Sequence, residues 1–428
     1  MRTTKPSGAA CLELSRLVSA LRPEMLKLLE QSLRLASPSG QEAAFTRFIE
    51  AWARAHGFET DLWEAAESQL AVAAATEARA RHLPLAGRPT LVIKWPGRGK
   101  AGTLVLNAHA DTVAGEPRVE VSSEHAGGPR IYGRGACDVK GPLVGALWAM
   151  LALRQAQPQG PAGDVLLELV PGEEDCVGLG TLTSVARGYR GSGVVVLEPT
   201  ENLPRCASRG GLRFEIVAGG RSVHGTVKWL GRDAIASMRK VLDALDVLEA
   251  RWNDRAADPL FAAYPIARPV TVDTVHGGQW QGMVCSRCQA GGYFELMPAD
   301  DHEAWKERFA GELKSLVPDE ALEISFPERY NGHLTPPGDP LCKAAEQAVA
   351  AAGPEAASRW QGWAGFNSGC EAGLRFREHG TPTLVWGPGS LAQAHAADEW
   401  IALDDVETFA GMLARFIIGY QEGDHGKR

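Results

Sequence analysis

Five segments carry histidines and carboxylates at places where an α/β chain can use them. Leu104-Val105-Leu106-Asn107 runs into His109-Ala110-Asp111, 166–170 into Gly172-Glu173-Glu174-Asp175, and 194–197 into Glu198-Pro199. Asp138 closes the Gly-rich run Gly133-Arg134-Gly135-Ala136-Cys137, and His395 follows Gly387-Pro388-Gly389 by a short loop. The apolar runs read as buried strands, and in an open α/β sheet the carboxyl ends of strands share one edge, where ligands bind. Two histidines and several carboxylates without a cysteine form a donor set suited to zinc, cobalt or manganese. If one carboxylate bridges, the set fits two cations roughly 3.5–4 Å apart that activate a water. The two-residue spacing of His109 and Asp111 places both on one side of an extended segment, so Asp111 is expected to accept the second ring N–H of a ligating His109. Glu173 and Glu174 are neighbours that point differently, so one can ligate while the other acts as a base.

The elements that must position these residues are legible as changes of period. Near-continuous apolar runs at 91–94, 103–107, 164–170, 193–197 and 383–386 predict buried strands, and Pro142 opens a predicted helix over 142–155. Ser39-Gly40-Gln41-Glu42 has the form of a capping box before an amphipathic helix that Gly57 ends. The middle of the chain predicts strand 212–218, helix 232–251, strands 270–275 and 292–296, helix 299–316 and strand 322–326, the split βαβ order of a two-layer domain. The expected organisation is a catalytic domain in two parts, 1–207 and 328–428, interrupted by an inserted domain at 208–327. The alanine-rich stretch 71–80 is expected to be a loop or short helix, and 423–428 a solvated end.

In that order, His109-Ala110-Asp111, the lone Asp138, Glu173-Glu174 with Gly178-Leu179-Gly180, Glu198-Pro199-Thr200, and Gly387-Pro388-Gly389 with His395 resemble the co-catalytic metallopeptidase family of acetylornithine deacetylase, succinyl-diaminopimelate desuccinylase, aminoacylase and carboxypeptidase G. The resemblance covers about 22–420. It implies a zinc-peptidase-like mixed sheet flanked by helices, with an inserted ferredoxin-like α+β lid and dimerisation domain. It also implies two divalent ions, zinc first with cobalt or manganese as alternatives, one held by His109, Asp138 and Glu198 and the other by Asp138, Glu174 and His395. Glu173 is then the general acid/base, with Asp111 behind the ligands. Gly219-Gly220-Arg221-Ser222-Val223-His224-Gly225 looks like the family's lid motif, in which the histidine matched by His224 steadies an oxyanion in the partner subunit of a homodimer. The implied reaction is hydrolysis of a small-molecule amide, an N-acyl amino acid foremost, by hydroxide activated at the metals. The alternatives are displacement of an amino group from an electron-poor aromatic amine at the same centre, and a non-catalytic binding protein that keeps the fold.

Two positions depart from the pattern. Members that grip a substrate carboxylate usually carry an Asn and an Arg where this chain has Gly282, followed by Cys285 in place of a Pro, and Glu295. A carboxylate in place of a guanidinium reverses the charge, so a clamp of that kind is absent or built elsewhere.

The 428 residues carry 44 Lys plus Arg against 52 Asp plus Glu, a net charge of −8, which does not invite nucleic acid. The longest apolar stretch, 141–153, is short of the roughly 20 residues a membrane span needs. The first 25 residues mix charges among apolar residues, unlike a secretory signal, so a cytoplasmic protein is expected. The eight cysteines are scattered and are expected to be free thiols; the pair Cys285 and Cys288 has no second pair with which to form a zinc site. Trp280, Trp360, Trp363 and Phe366 are candidates to line a substrate cleft.

Overall fold

The structure is a computed structural model that describes residues 8–65, 84–115, 118–122, 128–175, 178–254 and 258–423. The alanine-rich stretch 71–80 and the end 424–428 lie outside the described residues. The chain divides into two compact units: Met1–Ala207, His333–Phe366 and Cys370–Arg428 form the first, and Ser208–Gly332 with Asn367–Gly369 the second.

The first unit is built on a mixed six-stranded sheet in the order Glu59–Glu64, Pro89–Trp95, Val165–Val170, Leu104–His109, Gly193–Val196, Thr383–Val385. Its first two pairings are antiparallel and its last three parallel. Leu104–His109 and Val165–Val170 are buried along their whole length, which is why both read as near-continuous apolar runs rather than as alternations. Helix Gly141–Ala156 packs against Leu403–Glu422, and Gly145 permits the approach: a Cβ there would meet Phe409 Cδ1 at 2.7 Å. The span Ala136–Ala156 is long and apolar enough to cross a membrane by composition, beyond the 13 residues read from sequence, and its apolar window is wholly buried inside the fold.

The second unit is an antiparallel four-stranded sheet, Val270–Gly277, Arg287–Leu296, Gly210–Gly219, Leu322–Tyr330, with helices Ala234–Asn253 and His302–Leu316. Its core is aliphatic around an aromatic cluster, with Phe294 stacked on Phe309 at 5.0 Å and Trp252 edge-on to Trp305 at 5.0 Å. The last strand runs four residues past the predicted end at 326. Pro327, which has no N–H to give the ladder, sits in a bulge between Ser325 and Glu328 on an edge strand, where such a residue is tolerated.

The capping box does not form. The helix starts at Ala43 without a side-chain cap, and Ser39 donates its hydroxyl to Asp111 Oδ2 at 2.9 Å instead. Glu42 accepts from the Gly40 N–H at 2.9 Å and from the buried Arg88, whose guanidinium also pairs with Asp175 at 2.7 Å. Competing buried charges have claimed both capping residues.

Candidate metal centre

All five strand-end and loop segments meet in the first unit. The parallel register sets His109 opposite Val170, so the turns after the two strands leave the sheet side by side. His109 is 2% exposed, with Nε2 3.0 Å from Asp138 Oδ1. Asp138 Oδ2 lies 3.4 Å from His395 Nε2, which is 3.1 Å from Glu174 Oε2. One carboxylate therefore presents an oxygen to each of two imidazoles. Donor atoms of His109, Asp138 and Glu198 lie within 4.8 Å of one another, as do those of Asp138, Glu174 and His395. These nitrogen and oxygen donors, two sets sharing one carboxylate and without a thiolate, fit a pair of divalent cations. His395 holds its place at φ 62, in the left-handed region that costs a side-chain-bearing residue roughly 1–2 kcal/mol.

Asp111 acts otherwise than its spacing suggested. His109 Nδ1 donates to the backbone carbonyl of Asp111 at 2.8 Å, while the Asp111 carboxylate stands 3.9 Å off. That carboxylate accepts instead from the N–H groups of Gly172 (2.9 Å), Glu173 (3.2 Å) and Glu174 (3.1 Å), besides Ser39. Three N–H groups of one tight turn converge on an anion, a nest in which a carboxylate binds strongly. The residue thus orients the imidazole through its main chain and the Glu173–Glu174 turn through its side chain.

A second carboxylate does the same for Asp138. Glu399, 2% exposed, accepts from the N–H groups of Gly135 (2.9 Å), Cys137 (2.8 Å) and Asp138 (3.1 Å) and from Arg134 at 2.8 Å. Gly135, at φ 83, supplies the bend that turns these groups inward.

Crowding of buried acids dominates the electrostatics. Burial pushes the Glu173 carboxyl well above the usual range; His109 opposes this, and the like charges of Glu371, Glu198 and Glu174 add to it. Glu198 is raised in the same way, by burial and then by Asp138. Burial also disfavours charging Asp138, but the two imidazoles outweigh it and hold that carboxyl below its ordinary value. Hydrogen bonds to Asp138 and Glu174 raise His395 to about 10. Burial thus favours the protonated form of Glu173, whereas the two imidazoles favour the anion of Asp138.

The remaining sequence candidates lie elsewhere. His224 belongs to the second unit, where it is exposed and caps the short helix Gly225–Leu230, its Nδ1 accepting from the Thr226 N–H. Glu295 is buried in the same unit, accepting from the Tyr330 hydroxyl at 2.7 Å, and burial lifts its pKa to about 7. Gly282 takes φ 74 in an exposed turn, with Trp280 also exposed. Phe366 is a core residue, whereas Trp360 and Trp363 form an edge-on pair at 5.0 Å. Cys137, Cys206, Cys285, Cys288, Cys342 and Cys370 are free and buried; the side chains of Cys11 and Cys176 are outside what is described. Two buried carboxylates beside the centre escaped the sequence reading. Glu399 sits four residues past His395, and Glu371 follows Gly369-Cys370 rather than a predicted strand, so neither carries the strand-end signal.

The chain matches the model of peptidase family M20/M25/M40 over residues 105–419. It is 29% identical to N-acetyl-L-citrulline deacetylase of Xanthomonas campestris over 74% of this chain and 81% of that protein. It is 22% identical to N-formyl-4-amino-5-aminomethyl-2-methylpyrimidine deformylase of Bacillus subtilis over 95% and 97% of the two chains. Among solved structures, the di-peptidase Dug1p from Saccharomyces cerevisiae superposes with a TM-score of 0.73 at 14% identity, over 97% of this chain and 99% of that one. With the match covering most of the chain and a donor set for two cations at the strand ends, this protein belongs to peptidase family M20/M25/M40 and is a metal-dependent hydrolase of C–N bonds.

Proposed function

We propose that the chain hydrolyses the amide of a small N-acylated amine, an N-acyl amino acid foremost, at two divalent cations, zinc first with cobalt or manganese as alternatives. The observation that carries this reading is the Asp138 carboxylate turned to two imidazoles at once. His109, Asp138 and Glu198 would hold one cation, and Asp138, Glu174 and His395 the other. The pair would supply Lewis-acid polarisation of the acyl carbonyl and a water acidic enough to attack near neutral pH. Glu173, whose burial raises its pKa and so makes its carboxylate a stronger base, would take the proton from water and hand it to the leaving nitrogen. Asp111 and Glu399 hold the turns that carry Glu173, Glu174 and Asp138.

His224 would act in the partner subunit of a homodimer. With Nδ1 accepting from Thr226, the ring proton resides on Nε2, a donor suited to an oxyanion. Exposed Trp229, Leu230, Ile235, Val275 and Trp280 and the outer edge of strand Val270–Gly277, which has no neighbour among the described residues, support a self-association surface on the second unit. The free, buried thiols among the described cysteines fit the cytoplasm.

The test is metal analysis of the purified protein followed by a panel of N-acetyl amino acids, N-formyl arylmethylamines and electron-poor aromatic amines, scored for carboxylate, amine and ammonia. Glu173→Gln should keep its metal content and lose at least about 100-fold in kcat. An undiminished rate would remove Glu173 from this role, and release of ammonia from aromatic amines alone would move the target away from amides.

A further inference from the structure

One carboxylate beside the centre has no task in the reading above. Glu371 is fully buried, and among the described residues its carboxylate oxygens have no hydrogen-bond donor beyond the residue's own backbone N–H. It directly precedes helix Ala372–His379 but does not cap it. The nearby guanidinium of Arg375 is directed to Glu168 and to the Tyr189 carbonyl at 3.0 Å, and Glu168 also receives Asn107 at 3.0 Å and Ser184 at 2.6 Å. This network anchors the first turn of the helix and leaves the Glu371 carboxylate facing Glu173 and Glu198, with an oxygen of each within 4.8 Å of the others.

A buried carboxylate that receives no donor from any other described residue and is aimed at a reaction centre is a receptor for a group that brings donors with it. A third metal ion suits the place less well, because Glu198 already belongs to the set with His109 and Asp138, and an ion there would tie up Glu173. An ammonium offers three N–H donors and one positive charge to carboxylate oxygens already grouped around a single point.

We propose that Glu371 receives the nitrogen end of the substrate, so that the amine freed by cleavage is held as an ammonium between Glu371 and Glu173. This rests on the amide-hydrolysis reading. Water adds its oxygen to the acyl carbon, and the C–N bond breaks with its electron pair on nitrogen. One water proton reaches that nitrogen through Glu173, and the proton lost by the new carboxylic acid completes the ammonium; nothing is oxidised or reduced. Glu371 thereby selects substrates whose leaving group is a basic amine over those that release a weakly basic one.

The zinc-loaded protein is titrated with n-butylammonium and with n-butanol by saturation-transfer NMR, in wild type, Glu371→Gln and Glu371→Asp. Butylammonium should bind at least tenfold more weakly to Glu371→Gln, with Glu371→Asp intermediate and butanol indifferent to all three. Equal butylammonium affinity in wild type and Glu371→Gln overturns the proposal, as does a drop in zinc stoichiometry in Glu371→Gln, which would make the residue a cation ligand. Should Glu371→Gln not fold, Glu371→Asp decides: a preference for the amine undiminished from wild type sinks the idea. If no amide in the panel is cleaved while the butylammonium preference follows the residue 371 carboxylate, the choice of N-acyl substrate fails and the ammonium site at Glu371 stands.

Discussion

Replacing Glu295 by Gln isolates the effect of burying a carboxyl where the family resemblance implies a guanidinium. Glu295 is 4% exposed at the end of strand Arg287–Leu296; Oε1 accepts from Tyr330, and Oε2 has no hydrogen-bond partner among the described residues. Burial, outweighing the Tyr330 bond and the charge of Arg209, raises its pKa from 4.5 to about 7. Between those values the folded chain keeps a proton that the unfolded chain has released, so stability is fully present below the lower value and falls as pH rises to the upper one. At about 1.4 kcal/mol per pH unit the interval is worth about 3 kcal/mol. Gln is neutral throughout and can still accept from Tyr330. Urea unfolding of both proteins at pH 4.5 and pH 8, with hydrogen exchange over residues 287–296 as the local reading, should show the Gln variant gaining about 3 kcal/mol on wild type between the two conditions. Parallel pH profiles would refute the reasoning, because they would mean that the carboxylate is already ionised and compensated in the fold.

Arg88→Ala leaves Glu42 and Asp175 without their shared cation in a site where Arg88 and Glu42 are fully buried, and should destabilise the chain by about 3–5 kcal/mol in denaturant unfolding. A loss below about 1 kcal/mol would show that the two acids find other partners. Light scattering of the purified protein should give twice the chain mass. Asp substituted for Val275, on the exposed edge strand, should yield monomers whose activity falls to the level of His224→Ala; monomers as active as wild type would take His224 out of the reaction.

The catalytic fold was legible because its signals are local. Strands buried on both faces have few polar positions to interrupt them, so 104–109 and 165–170 are legible as near-continuous apolar runs broken only by the mutually bonded Asn107 and Glu168, and the acidic or histidine residue after each run marks the sheet edge. The inserted unit was legible from the switch between periods of two and 3.6. The carboxylates that serve backbone N–H groups were not legible. Asp111 and Glu399 each receive three such donors from turns distant in sequence, and a main-chain donor has no residue type for a pattern to find. The same blindness explains the capping box: Ser39 and Glu42 fit the local motif, but a buried anion and a buried guanidinium bound them more strongly. Glu371 has no local motif of any kind.

The bracing of the Asp138 turn by Glu399, 261 residues further on, sets an order of events during synthesis. A nascent chain that has emerged as far as Glu198 already carries His109, Asp138 and the paired glutamates, but neither the second imidazole nor the brace. The stretch from Glu198 to His395 takes on the order of 10–40 s to translate. The hydrolytic centre therefore stays unassembled while most of the polypeptide is being made.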